Sequence, residues 1–417
     1  MKWNHCTLMW GLGLALLVVA QGAVAQGAYE DLPALKAGDL LPEEMLVGPN
    51  HQVWDDVSTD GFLNTYTISS QFGKVTATST ALVPVRIDEL NAIAAMDEVK
   101  KSDAYKEAAK EAAEGAYEGA KTLVKHPVKT LEGAASGVGR MFKRASENVK
   151  HRDESDSEEK TYKEVLGMAR AKREIAAEFG VDVYSSNPLL QERLDDLAWT
   201  QFAGNMTVRA PLAFVPGGVG VAVTVTQTTT LLNDAIANTP PEDLRIQNRE
   251  TLAAMGIRQD VADLYMDNEV FTPRQQTLIV AALKDMEKTA NRDAFLKLAV
   301  HTDSADLADF RQRMALLYAA YNQNVEPIAE FVELGLFVAG RTESDAIVML
   351  VPVDYLVWTR TAAGAFADLD RALAQLDNVD SKLIWLDKAS TQAKKEIMTL
   401  GWGYKENLEA ELLPKSE

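Results

Sequence analysis

The hydrophobic period of this chain changes near Asp88, and few folds accommodate what lies on both sides of the change. From His51 to Asp88 the text is "HQVWDDVSTDGFLNTYTISSQFGKVTATSTALVPVRID". β-Branched and aromatic residues alternate there, interrupted at Asp60-Gly61 and at Phe72-Gly73-Lys74, as strands joined by hairpin turns are. Beyond Asp88, Tyr105, Ala109, Ala112, Ala116, Ala120 and Leu123 recur three or four apart. That spacing predicts one face of a long helix. The face consists almost wholly of small side chains, which bring helix backbones close but bury little apolar area each. A small antiparallel sheet followed by a helix needing a close partner is the expectation.

The middle of the chain reads as helices with clear end signals. Thr161 with Glu164 suggests a capping box before Val165, Met168, Ile175 and Phe179, with Gly180 as the stop. Asn187-Pro188 gives an N-cap and a proline at the first helical position. Thr272-Pro273 with Gln275 repeats the device, and Ser304 introduces Leu307, Phe310, Met314, Leu317 and Tyr321. Short joints imply antiparallel neighbours in a bundle. The uncharged run 210–233 contains five threonines, Gln227, Pro216 and three glycines. With its alternating Val219, Val221, Val223 and Val225, it reads as a buried hairpin or strand rather than a membrane span.

From Glu333 onward the pattern turns to strand, helix, strand, helix, strand. "ELGLFVAGRTESDAIVMLVPVDYLVW" reads as two apolar strands, "TAAGAFADLDRALAQL" as a helix and "KLIWL" as a buried strand. "STQAKKEIMTLGW" follows as a helix capped by Ser390 and stopped by Gly401, and "YKENL" as a last strand. The fold class expected is therefore α+β, multidomain and mainly helical. A small N-terminal antiparallel sheet, a helical middle and a small C-terminal α/β unit make it up. Boundaries fall at 1–25 (leader), 26–90 (β-rich), 91–160 (small-residue and basic helical segment ending in an acidic linker), 161–332 (bundle) and 333–417 (α/β).

The leader is a sequence expectation of its own. Lys2 precedes the apolar "TLMWGLGLALLVVA", and Ala23 and Ala25 form an Ala-x-Ala site, so a secretory signal peptide cut after Ala25 is predicted. Cutting there removes Cys6, the only cysteine, and excludes a disulfide, a thiolate nucleophile or a cysteine metal site from the 392 residues that remain. It also removes Lys2, so the formal charge goes from −19 to −20. That acidity opposes non-specific nucleic-acid binding. An exported protein of the bacterial envelope, periplasmic and without a stable transmembrane span, is the expectation; oligomeric state is left open.

Against this acidity stands one basic stretch, "KTLVKHPVKTLEGAASGVGRMFKR", residues 121 to 144. Between Lys121 and Arg152 there are eight Lys or Arg against Glu132 and Glu147, followed by five acids in "DESDSEE". A phosphate loop needs a Gly-Lys-Ser or Gly-Lys-Thr ending after a strand, and neither is present. Two readings remain. Gly115, Gly119, Gly133, Gly137 and Gly139 suit close helix packing. Lys121, Lys125, Lys129, Arg140, Lys143 and Arg144 suit transient contact with an anionic lipid surface or protein partner.

Catalytic signals are sparse. His51, His126, His151 and His301 have no metal-ligand spacing, Gly-x-Ser-x-Gly is absent, and "PGGVGVAV" lacks the third glycine of a dinucleotide fingerprint. Asp56, Ser58, Asp60 and Gly61 sit at the opening spacings of a calcium loop, but Thr67 stands where the bidentate acid belongs, so a turn is expected. Asp354 and Asp387 each follow an apolar strand, where open α/β sheets collect ligands. They are the candidates for a metal-assisted hydrolase, against the plainer reading as loop acids or caps. The acids Asp260, Asp263, Asp267, Asp303, Asp306 and Asp309 have helical spacing and read as solvated faces. No cofactor and no metal is expected, and a non-catalytic binding or scaffold role is preferred to an enzyme.

Overall fold

The computed structural model describes residues 29–123, 156–211, 236, 238–376 and 379–413, without the side chains of 115–123 and 156–166. It has mixed α and β content, with an antiparallel sheet at the N-terminal end and a mixed sheet at the C-terminal end.

The first sheet contains β1 (Leu35–Lys36), β2 (Val47–Gly48), β3 (His51–Val53), β4 (Asp56–Thr59), β5 (Asn64–Ser70) and β6 (Gly73–Thr78), with short helices α1 (Ala37–Leu40) and α2 (Glu43–Leu46) between the first two. All pairings are antiparallel. β5 and β6 form a hairpin that closes at Ser70 and Gly73, where Gly73 has φ +138°. β3 and β4 lie end to end along the other side of β5. The period of two puts Tyr66, Ile68, Val75 and Ala77 inside.

The helix after the sheet begins earlier than its periodicity suggests. α3 spans Leu82–Lys101, so "LVPVRID" is its first turns rather than strand. Pro84 is tolerated because first-turn amides have no intrahelical acceptor. The expected single long helix is also two: α3 stops at Ser102, whose ψ of 148° is extended, and α4 runs from Asp103 to Leu123. The Ser102 hydroxyl accepts the Tyr105 amide and restarts the helix.

α5 (Asp156–Glu178) passes straight through Thr161, so the expected capping box is not an end. Its stop is as read, at Gly180 with φ +64°. α6 (Pro188–Ala203) starts at the Asn187 cap. α5 and α6 pack with α3 on the N-terminal sheet in one core containing Ile87, Ile93, Ile175, Phe179, Leu190 and Leu197.

A second core gathers α7 (Pro241–Ala254), α8 (Gln259–Met266), α9 (Pro273–Asp285), α10 (Asp293–Val300) and α11 (Ala305–Asn324). Thr272 and Gln275 form the expected capping box on α9, and Ser304 caps α11.

In the C-terminal sheet, the two strands expected after Glu333 are present as β8 (Phe337–Thr342) and β9 (Ala346–Leu350), and a strand the sequence does not announce, β7 (Ile328–Leu334), precedes them; the three are consecutive antiparallel neighbours. The extra turn, at Gly335 with φ +69°, lies inside an apolar run and has little polar signal. α12 (Arg360–Leu373), β10 (Ser381–Trp385), α13 (Thr391–Thr399), β11 (Gly403–Lys405) and α14 (Leu408–Leu412) complete it, with β9, β10 and β11 parallel. Along β9, Val348 and Leu350 face the α7–α11 core, whereas Ile347 and Met349 face α12 and α13. Burial on both faces explains why "AIVML" is apolar throughout.

Candidate functional site

Of the two acids singled out beyond the strand ends, Asp354 is buried and Asp387 half-buried, and both accept from the backbone. Asp354 follows β9; its carboxylate accepts from the Asn64 amide at 2.8 Å and the Thr80 amide at 3.0 Å. These amides open β5 and precede α3, so the side chain joins the C-terminal sheet to the N-terminal one. Burial pushes its pKa up, while Arg313 and the two amides oppose the shift.

Asp387 follows β10. Its Oδ1 accepts the Glu409 amide at 3.0 Å, in the first turn of α14. Burial first, and then the neighbouring Glu409 carboxylate, push its carboxyl up to about 7; Arg313 pulls the other way. Arg313, on α11, donates from Nε to Glu409 at 2.7 Å. Burial opposes its charge, and Glu409, Asp354 and Asp387 outweigh that opposition. The guanidinium favours the charged forms of Asp354 and Asp387, and burial outweighs it at both. Among the described residues no group of three or more His, Cys, Asp or Glu is placed to hold a metal ion.

The turn expected in place of a calcium loop is present. Asp60 Oδ1 accepts the Phe62 and Leu63 amides, both at 2.8 Å, and Gly61 has φ +93°. Gly61 and Phe62 carbonyls accept the Val357 and Tyr355 amides, so this turn lies against the segment after Asp354.

Of the basic residues, Lys121 is in the last turns of α4 and its side chain is not described. Lys125, Lys129, Arg140, Lys143 and Arg144 lie outside the described residues, as do Val219, Val221, Val223 and Val225. Asp263 and Asp267 pair with Arg249 at 3.1 and 2.7 Å, and Asp260 pairs with Arg258. Asp309 departs from the expected solvated face: it is half-buried and accepts Gln275 Nε2 at 2.5 Å.

Asp309 borders a cleft of about 410 Å³ that sequence reasoning does not find. The first turns of α3, the end of α5, the loop 181–186 and the starts of α9 and α11 enclose it. One wall is a saturated polar network. Arg86 Nη1 reaches Glu89 at 2.8 and 3.0 Å and Ser185 at 3.0 Å, while Nη2 reaches Ser186 at 2.6 Å. Glu89 also accepts the Asn187 side-chain amide at 2.9 Å. Arg274 faces Asp182 at 3.5 Å. The Arg86–Glu89 spacing of three is the only sequence signal; the loop that completes the network comes from about 100 residues downstream. Comparison with protein-family models, with curated proteins and with solved structures gives no match to this chain.

Proposed function

We propose that this is a non-catalytic, multidomain binding or scaffold protein of the bacterial envelope, exported after cleavage of its leader. The observation carrying the non-catalytic half is the use of the two candidate acids: Asp354 accepts two backbone amides and Asp387 accepts one, so both serve the fold. A carboxylate spent in this way has little left for substrate or metal. The binding half rests on charge. The segment holding Lys121, Lys125, Lys129, Arg140, Lys143 and Arg144 carries a local +6 in a chain of net −19, and it connects α4 to α5. Each cation near an anionic lipid surface contributes about 1 kcal/mol, while the acidic remainder is repelled, so contact through this segment is weak and salt-sensitive.

The test is co-sedimentation of the full chain with vesicles containing phosphatidylglycerol at low and high salt. Binding at low salt that disappears on reversal of the six cations to Glu is expected; equal binding by the reversed chain defeats the docking reading.

One observation favours the rival, a hydrolase. A carboxyl pushed to about 7 is poised for proton transfer near neutral pH, as general acids are. Asp387→Asn keeps the acceptor for the Glu409 amide and removes the acid. An unchanged cellular phenotype in that variant argues against catalysis, and its loss with the fold intact would restore the enzyme.

A further inference from the structure

We propose that the cleft between α3, α5, α9 and α11 is a binding site for a small organic monocarboxylate with an apolar body, whose carboxylate is taken by Arg173 and Tyr184. The inference is independent of the docking reading, which concerns a different segment.

Most charged groups in the walls are satisfied within the fold. Arg86 is spent on Glu89, Ser185 and Ser186, Arg274 faces Asp182, and Asp309 accepts Gln275. Two groups remain. The Tyr184 hydroxyl oxygen is buried and has no hydrogen-bond partner. Arg173, half-buried at the end of α5, forms no ion pair or hydrogen bond among the described residues. A buried hydroxyl without a partner costs stability, and an idle guanidinium in a cleft wall is unusual, so a shared acceptor is the natural explanation.

The two are placed to share one. Both side chains line this cleft, and of the charges acting on the Tyr184 phenol, Arg173 exerts the largest effect. Burial pushes that phenol up to about 12, which keeps its proton available for donation at neutral pH. The planar fork of Arg173 matches a carboxylate through two parallel N–H bonds, and the tyrosine adds a third donor.

Charge and size narrow the class further. Carboxylates of Asp88, Glu89, Asp182 and Asp309 in the same walls oppose a dianion, so a phosphate group is disfavoured against a single negative charge. A cationic amine meets the unpaired guanidinium. Ala177, Val181, Ile236 and Val270 provide apolar lining, and the volume lies within the range of small-molecule sites.

Isothermal titration calorimetry of the full chain with hexanoate, hexylamine and inorganic phosphate tests this. Hexanoate should bind and the other two should not. Arg173→Gln and Tyr184→Phe should each weaken hexanoate roughly tenfold or more, the loss of one charge-assisted hydrogen bond. Tyr184→Phe removes only an oxygen that lacks a partner, so the ligand-free melting temperature should hold or rise, which separates a binding defect from a folding one. Absence of hexanoate binding overturns the proposal. So does binding of hexylamine or phosphate as tight as that of hexanoate, or wild-type affinity in both variants.

Discussion

Asp387 has a carboxyl whose protonation is coupled to folding. An unfolded aspartate titrates at about 3.9, and in the fold this one titrates at about 7 because burial and Glu409 disfavour its charge. Between these values the folded chain holds a proton that the unfolded chain lacks. The stabilisation from that proton is fully present below about pH 4 and is lost as pH rises through 7. Asp387→Asn keeps the acceptor for the Glu409 amide and removes the titration. Urea unfolding at pH 4 and pH 8 should therefore show the variant gaining on the wild type as pH rises. Parallel stability curves would mean that Glu409, Asp354 and Arg313 do not act on this group as described.

Helix α4 shows what a stripe of small residues is for. Ala108 and Ala112 are buried, Tyr105 receives the Thr200 hydroxyl at 3.1 Å, and the partner is α6 of the same chain. The approach is close enough that a Cβ on Gly204 would stand 2.3 Å from the Ala108 carbonyl oxygen and 2.7 Å from that of Thr200. Gly204 has φ −92°, which any residue adopts, so Gly204→Ala tests the contact rather than the backbone. A loss of about 1–3 kcal/mol in thermal unfolding is expected; an unchanged midpoint would show that α4 can move away freely.

Elements were legible where one side chain dictates the local geometry. Asn187, Thr272, Ser304 and Ser390 each cap the helix they announce, and Gly180 and Gly401 both take positive φ at helix ends. Legibility failed where two geometries fit the same residues. "LVPV" is β-prone text serving as a first helical turn, and Ser102 is a weak breaker between strong helix formers. Asp354 and Asp387 were recognisable as strand-end acids. Their partners were not, because no local pattern reports an amide 290 residues away.

Among the described residues, the N-terminal sheet and the C-terminal sheet are joined by main-chain and carboxylate contacts rather than by a broad apolar face. Tyr355 and Val357 donate to Phe62 and Gly61, Trp358 donates to the Glu30 carboxylate at 2.8 Å, and Asp354 holds Asn64 and Thr80. Asp354→Ala leaves two amides without their charged acceptor, so a loss of about 3 kcal/mol in urea unfolding is expected. Faster protease cleavage between residues 59 and 64 should accompany it. Stability within 0.5 kcal/mol of wild type would show that water replaces the carboxylate at no cost.

That junction also imposes an order on folding as the chain is made. The strand beginning at Asn64 receives its acceptor from a residue 290 positions later. At ordinary translation speeds this interval lasts on the order of 15 to 60 s. Throughout it, the first hairpins must persist with one flank unsatisfied, exposed to mispairing with nascent neighbours. A holding factor would shield that strand during the wait; without one, a segment made early stays incomplete until a residue 290 positions later has been made.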